Sequence, residues 1–227
     1  TDHGIAFPRA KATLYDPGIH TALIMRGPSG CQGGRVCTEL LSNVDLLPTL
    51  LEAAGASPPD DLQGRSFMPL LEGRPYEPRD FIFAETNTTP WNIARCIRTR
   101  THKLIRTADA GPLWHLPADI ERSKTRRDMG NAPLWERCPV EFYDLQTDPY
   151  EKVNLSGEAA FAAAEAHCRD LLRAFQEETH DPVLQGPIKR PPGEAAILRD
   201  IFEKVPGVQH PVTGRPPARS GRPGTPA

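Results

Sequence analysis

Short apolar runs recur along this chain and predict strands in both of its halves. Residues 21–26 and 81–84 are mostly apolar, and each run predicts a buried strand. Beyond residue 93 the apolar side chains stand singly among arginines, lysines and threonines, a pattern typical of half-buried antiparallel strands. Residues 141–145 predict one more short strand.

Two longer stretches carry apolar residues at helical spacing. In residues 36–54, Asp45 is placed to cap a helix at its N-terminus and Gly55 to end it. Residues 157–178 give the clearest helix, because their apolar side chains recur on one face. Residues 108–139 contain glycine, proline, tryptophan and mixed charge without a period, so we predict a long loop there.

Composition narrows the choice of partners. The net charge is −2 over 227 residues, so no electrostatic argument favours nucleic acid or an anionic membrane as a partner. No apolar run reaches membrane-spanning length. The 5 cysteines form no Cys-x-x-Cys pair, which argues against a zinc ribbon or a thioredoxin-like motif. The compartment stays open among periplasmic, secreted, lysosome-like and cytoplasmic locations, and the oligomeric state is also open.

The two ends of the chain differ from its middle. The first residue is Thr1 rather than methionine, so we expect the chain to be the later part of a longer polypeptide. Residues 187–227 are rich in proline, glycine and arginine and are expected to be largely disordered. No internal repeat divides the residues between these ends.

The opening residues hold the clearest candidate chemistry. Asp2 and His3 are adjacent, so both side chains reach one ion only where a strand ends and the chain turns, and Gly4 permits that turn. A carboxylate and an imidazole together suit a divalent metal, with calcium possible if other oxygens complete the shell. Lys11 carries a compact positive charge that can meet one oxygen of an oxyanion. Taken alone, these residues fit an ordinary loop and a solvated surface lysine much better.

Residues 1–18, which contain all three candidates, resemble the segment of the sulfatase family that closes its metal site. Phe7-Pro8 and residues 178–182 are most similar to the heparan N-sulfatase (sulfamidase) branch of that family. The likeness covers about residues 1–182. Further segments that resemble the family follow in the family's order: 42–51 with Ala54 and Gly55, 62–71, 98–105, and 141–151 with Asn154 and Leu155.

The resemblance implies the carboxy-terminal part of an alkaline-phosphatase-like α/β fold. Residues 1–85 would supply strands and a helix of the large sulfatase domain, including its metal-site segment. Residues 86–186 would form a smaller antiparallel sheet that carries the long helix. The tail from 187 to 227 would lie outside both.

The resemblance also implies roles for single residues. Asp2 and His3 match the later pair of metal ligands, with calcium expected and manganese as the alternative. Lys11 matches the catalytic basic residue that binds a sulfate oxygen. Arg95 matches a substrate-binding arginine of the small sheet, and a structural role for it is an equal alternative. The nucleophile of the family is a formylglycine made in a Cys/Ser-x-Pro-x-Arg motif, and no such motif occurs in these 227 residues.

Three functions follow from these expectations. The first is a sulfatase that hydrolyses a sulfuric ester or a sulfamate of a small molecule or sugar, with its nucleophile upstream of residue 1. The second is a phosphonate or phosphate monoester hydrolase of the same superfamily. The third is a non-catalytic fragment that acts as a binding module, and this chain alone is expected to be inactive.

Overall fold

A four-stranded antiparallel sheet organises the protein. The structure, a computed structural model, describes residues 1–27, 31, 33–87, 93–108, 116–129, 138–186 and 188. The strands are adjacent in chain order, and each pairs with the next. They are β1 (Phe81–Thr86), β2 (Ala94–Thr99), β3 (His102–Thr107) and β4 (Val140–Asp144). The strands predicted at 81–84, beyond 93 and at 141–145 are therefore confirmed.

Both faces of the sheet are covered, and the alternation of side chains explains how. One face packs against α6 (Ala162–Glu178), which buries Cys168 and Leu172 there. The opposite face packs against Leu14 and Tyr15 of the amino-terminal segment. Successive residues of a strand point to opposite faces, so one strand serves both layers. Ile97, Leu104 and Phe142 thus meet α6, while Cys96, Ile105 and Tyr143 meet the amino-terminal segment.

Five shorter helices accompany the sheet in the described residues. They are α1 (Asp16–Ile19), α2 (Leu46–Ala53), α3 (Met68–Glu72), α4 (Ala118–Glu121) and α5 (Lys124–Met129). Single 3-10 turns occupy Asn43–Asp45, Ala159–Phe161 and Pro182–Gln185. The predicted loop over 108–139 is therefore partly wrong, because α4 and α5 lie within it. Short helices of this kind show no apolar period that sequence could reveal.

The predicted helix over 36–54 is confirmed in its second half. It begins at Leu46 directly after Asp45 and ends before Gly55, which adopts a positive φ of 72°. The carboxylate of Asp45 does not cap α2. It is fully buried and accepts hydrogen bonds from the backbone N–H groups of Ser42 and Arg65, both at 3.0 Å. Asp45 therefore ties α2 to the chain on either side of it.

The strand predicted over 21–26 is wrong. These residues form no strand, and Ile24 is 95% exposed. A strand needs a partner for its backbone hydrogen bonds, and the only sheet in the described part of the chain is β1–β4. An apolar run predicts burial, but it does not specify what covers it.

The predicted division between residues 85 and 86 stays a prediction, and β1 runs across that point. The predicted disorder of 187–227 lies outside the described residues, apart from Ile188. In the described chain no helix combines the length and the apolar character needed to cross a bilayer.

Candidate active site

Residues 1–20 form a loop whose ends meet through two glycines. The backbone N–H of Gly4 donates to the carbonyl oxygen of Gly18 at 3.1 Å. A Cβ atom on Gly4 would lie 1.7 Å from the carbonyl oxygen of Pro17, and one on Gly18 would lie 2.4 Å from that of Ala10. Gly4 is therefore required for close approach of two backbones, and this contact fixes the position of the preceding Asp2 and His3.

Asp2 and His3 lie at the open end of this loop. The side chain of Asp2 is 92% exposed and that of His3 is 42% exposed. Nδ1 of His3 bonds to the carbonyl oxygen of Gly4 at 2.6 Å, and Nε2 lies 3.9 Å from Oδ2 of Asp2. Because a carbonyl oxygen only accepts, Nδ1 is the donor in this bond, and Nε2 is the ring nitrogen on the side of Asp2. Metal-binding imidazoles are usually held in this way by a backbone carbonyl.

The pair fits two ligands of a divalent cation. Two donors that bind one ion at about 2.0–2.5 Å lie about 3–4 Å apart, and the observed 3.9 Å agrees with this. Among the residues that the structure describes, no group of three His, Cys, Asp or Glu side chains is arranged to hold a metal ion. Asp2 and His3 alone would supply only part of a coordination shell, and their role as metal ligands stays a prediction.

Lys11 lies on the same loop, in a strained stretch of backbone. Arg9 and Ala12 on either side of it adopt positive φ angles of 65° and 64°, which non-glycine residues rarely do. Such strain persists only where surrounding contacts impose it, and it is common at functional sites. Nζ of Lys11 donates to Oδ2 of Asp119 in α4 at 2.9 Å. This hydrogen bond lowers the pKa of the Asp119 carboxyl below its ordinary value.

A buried ion cluster, formed by Asp16, Lys103 and Glu151, holds the loop on the sheet. Lys103 and Glu151 are both 0% exposed, and their side chains form an ion pair at 2.6 Å. Lys103 also binds Asp16 at 2.5 Å and the carbonyl oxygen of Leu14 at 3.2 Å. Arg98 donates to Asp16 at 3.0 Å and supplies a second cation, so Lys103 and Glu151 can be fully buried and Asp16 largely buried between loop and sheet.

Burial and charge pairing together shift the pKa values of the two acids of the cluster in opposite directions. Burial alone would raise the pKa of Asp16, but Lys103 and the hydrogen bonds from Arg98 and Lys103 lower it below its ordinary value. Burial raises the pKa of Glu151 despite the favourable charge of Lys103. Glu151 also accepts a hydrogen bond from the backbone N–H of Asp16 at 2.7 Å, so it remains a structural partner of the loop.

A second set of contacts fixes the loop beside this cluster. Tyr15 donates to Oε2 of Glu141 at 2.7 Å, and Tyr143 donates to the same oxygen at 2.5 Å. The guanidinium of Arg9 lies 4.1 Å from the centre of the Tyr15 ring and donates to the carbonyl oxygen of Glu151. Strands β3 and β4 and the turn after β4 therefore determine the conformation of the loop that carries Asp2, His3 and Lys11.

Arg95 lies on the other face of the sheet, away from the loop. Its guanidinium is buried and binds both carboxylate oxygens of Asp181, at 2.7 and 2.9 Å, and Oδ1 of Asn87 at 2.8 Å. Burial by itself would raise the pKa of Asp181, but hydrogen bonds from Arg95 and Gln176 lower it to about 2. These contacts favour the structural alternative for Arg95, and its role in binding substrate stays a prediction.

Sequence reasoning missed the residues that position the loop. Asp16, Lys103 and Glu151 lie in segments that resemble the family, but no role was predicted for them, and Asp119 lies outside those segments. Their partners lie far away in the sequence. One signal was available for Lys103, because strand alternation places it on the face opposite Leu104. A lysine on a face that is apolar elsewhere indicates a buried ion pair.

Comparison with known proteins gives the family. Residues 3–131 match the family model described as N-sulphoglucosamine sulphohydrolase, C-terminal. An ulvan-active sulfatase of Formosa agariphila is 31% identical over 167 residues, which cover 68% of this chain and 32% of that protein. Human N-sulphoglucosamine sulphohydrolase is 28% identical over 212 residues, which cover 82% and 42%. The chain thus spans about a third of the length of the first relative and about two fifths of the length of the second.

Comparison with solved structures gives the fold. A protein of Bacteroides thetaiotaomicron described as a sulfatase superposes with a TM-score of 0.57 at 21% identity, covering 80% of this chain and 35% of that structure. At this identity the likeness supports the fold, and the predicted alkaline-phosphatase-like α/β class is confirmed. Because the family model covers more than half of the chain, we conclude that this chain belongs to the sulfatase family, in its N-sulphoglucosamine sulphohydrolase C-terminal group.

Proposed function

We propose that this protein acts as a sulfatase that hydrolyses a sulfate ester or a sulfamate of a sulfated sugar. Membership of the family supports the reaction. One relative is named for ulvan and another for N-sulphoglucosamine, which supports a saccharide as the substrate. In this proposal the chain contributes the metal-binding and anion-binding part of the active site.

Asp2 and His3 would hold the metal, with calcium as the expected ion and manganese as the alternative. A divalent cation supplies positive charge that neutralises sulfate oxygens and favours an ionised nucleophile. The exposure of both side chains and the bond between Nδ1 and Gly4 support this role. The close contact of Gly4 with Pro17 would keep the two ligands in place as metal binds.

Lys11 would bind one oxygen of the sulfuryl group. Its ammonium carries three N–H donors, and Asp119 accepts from it at 2.9 Å, so two donors remain for an anion. As the bond between sulfur and the leaving group breaks, its electron pair moves to the leaving atom, while the sulfuryl oxygens carry negative charge throughout the transfer. A cation held by a strained, anchored backbone stabilises that charge without reorganisation.

The nucleophile would come from outside these 227 residues, because no Cys/Ser-x-Pro-x-Arg motif occurs in them. We propose a formylglycine hydrate, as the family resemblance implies. One of its hydroxyl oxygens would lose its proton and bond to sulfur, leaving a covalent sulfate, while the alcohol or amine would depart with a proton. A chain limited to these residues is then expected to bind anion and metal but not to turn over.

One observation carries the proposal: the orientation of Asp2 and His3 by the closed loop that also holds Lys11. The test replaces Asp2 and His3 by alanine in the full-length protein. Bound metal is counted by inductively coupled plasma mass spectrometry, and sulfate release is measured from glucosamine N-sulfate and glucosamine 6-sulfate. We expect loss of most bound metal and at least about a hundred-fold loss of turnover.

Asp60→Ala is the matched control, because Asp60 is an exposed acid far along the chain and should leave both readouts unchanged. Retention of metal and turnover in the Asp2→Ala/His3→Ala variant would remove the basis of the proposal. A phosphonate monoester assayed in parallel tests the second function. Preferred turnover of that compound over both sulfated sugars would replace the sulfatase assignment.

A further inference from the structure

Asp119 brings a carboxylate to the ammonium group that the proposed function assigns to the sulfuryl oxygens. The two residues are 108 positions apart in sequence, and their charged atoms lie 2.9 Å apart. The Lys11 side chain is 29% exposed and that of Asp119 is 53% exposed, so a ligand can reach both. The pair thus lies at the surface of the loop and not within its core.

Both partners are anchored in the fold, which separates this pair from a chance surface contact. Asp119 is followed by Ile120, which is buried, and Leu116 before it is buried as well. The backbone N–H of Ser123 donates to the carbonyl oxygen of Ile120 at 2.9 Å and closes the turn. On the other side, Ala10 next to Lys11 is buried. Two fixed segments therefore present the two charges to each other.

We propose that Asp119 is a specificity-determining residue of the candidate active site. It favours substrates that place a hydroxyl, N–H or ammonium group beside the sulfuryl group, and it disfavours a second anionic group there. The inference rests on the proposed function, because it takes Lys11 as the sulfuryl-binding cation. The ligand class is a monosulfated sugar with a hydrogen-bond donor next to the sulfated position.

The charges explain this selectivity. A sulfuryl group bound to Lys11 lies close to the Asp119 carboxylate, and like charges within about 4–6 Å repel. The carboxylate accepts hydrogen bonds only, so a neighbouring donor on the substrate gains a charge-assisted bond. A second sulfate or a carboxylate at that place meets only repulsion. Asp119 thereby lowers the affinity for anions in general and increases discrimination among them.

The test uses Asp119→Asn in the full-length protein, because asparagine keeps the size and an accepting oxygen but removes the charge. Binding of inorganic sulfate is measured by titration calorimetry. We expect the variant to bind sulfate about three- to ten-fold more tightly, since the anion no longer competes with a carboxylate for Lys11. A variant that merely damaged the fold would bind sulfate more weakly, so the sign distinguishes the two cases.

The second readout is kcat/KM for glucosamine 6-sulfate and for glucosamine N,6-disulfate. The ratio between the monosulfated and the disulfated sugar should fall about three- to ten-fold in Asp119→Asn. Asp128→Asn removes an exposed acid of α5, the helix that follows α4, and should change neither readout. An unchanged or weaker sulfate affinity, or an unchanged substrate ratio, in Asp119→Asn would overturn the inference.

Lys11→Met separates this inference from the proposed function. Loss of sulfate binding in Lys11→Met together with unchanged binding in Asp119→Asn would overturn only the role of Asp119. Unchanged sulfate binding in Lys11→Met would overturn the role of Lys11 and the proposed function with it.

Discussion

The buried ion cluster and the open end of the loop contain similar side chains in opposite environments. In the cluster, Lys103 and Glu151 are fully buried and each charge has a partner within 2.6 Å. At the open end, Asp2 and His3 are exposed and 3.9 Å apart. Burying a charge is unfavourable unless a partner compensates it, so the residues of the cluster bind one another and have a structural role. Asp2 and His3 are exposed to water, so their charges need no buried partner and a ligand can reach them.

The contrast between the two groups of charges shows how the fold supports the candidate site. The buried ion cluster holds the loop on one face of the sheet. The loop in turn exposes the side chains of Asp2 and His3 to solvent. Substitutions in the cluster should therefore change stability most, and substitutions at the open end should change ligand binding most. The following variants test this contrast.

Lys103→Met should have the largest effect on stability. It leaves Glu151 buried without its cation and Asp16 with Arg98 as its only cation, which costs about 3–5 kcal/mol of the free energy of unfolding. Urea-induced unfolding measures this. The control is Arg173→Met, because Arg173 forms an exposed pair with Glu177 and should lose less than about 0.5 kcal/mol. Equal effects of the two variants would contradict the contrast.

The Arg95–Asp181 pair predicts an acid-dependent stability. The pKa of Asp181 is about 2 in the folded protein and about 3.9 when unfolded, so the stabilisation is fully present above about pH 4. It is lost as the pH falls towards 2, and it amounts to about 2.5 kcal/mol. Asp181→Asn removes this contribution, so its unfolding free energy should change less between pH 5 and pH 2 than that of the parent protein. Parallel pH profiles would contradict the prediction.

Gly4→Ala should affect both stability and the open end. The added Cβ would lie 1.7 Å from the Pro17 carbonyl oxygen, so the backbone must shift at a cost of about 2 kcal/mol. The shift moves His3, and we expect weaker binding of divalent metal in the same preparation. Gly33→Ala is the control, because nothing lies within 4 Å of its added Cβ. Normal metal content in Gly4→Ala would show that a shift of the backbone at Gly4 does not affect metal binding, and it would contradict the prediction.

Lys11→Met should have the smallest effect on stability. Its pair with Asp119 is partly exposed, and such pairs contribute about 0–1 kcal/mol. Thermal unfolding should therefore show little change, whereas inorganic sulfate should no longer bind in calorimetry. A large loss of stability would contradict this prediction and show that Lys11 stabilises the fold, as the buried ion cluster does.

Strand positions and the long helix were predictable because they depend on local periodicity. The alternation around residues 93–105 and the apolar face of 157–178 correspond to β2, β3 and α6. The run at 21–26 has a similar apolar composition but forms no strand. Pairing depends on another segment of backbone, which local sequence does not specify.

The candidate site was predictable only in part for the same reason. The resemblance identified Asp2, His3 and Lys11, but it did not indicate that Asp119 lies beside Lys11. It also matched Arg95 to a substrate-binding arginine, whereas the structure buries the guanidinium of Arg95 against Asp181. A side chain's partner depends on contacts between distant parts of the chain.

The sequence by itself determined the family, the order of the elements and the residues that could bind metal and anion. Tertiary structure alone decided which charges are buried with partners and which stay open to a ligand. The physical reason is that periodicity and motifs are local properties of the chain. Desolvation and charge pairing depend on which distant residues meet, as Lys103 meets Asp16 and Glu151.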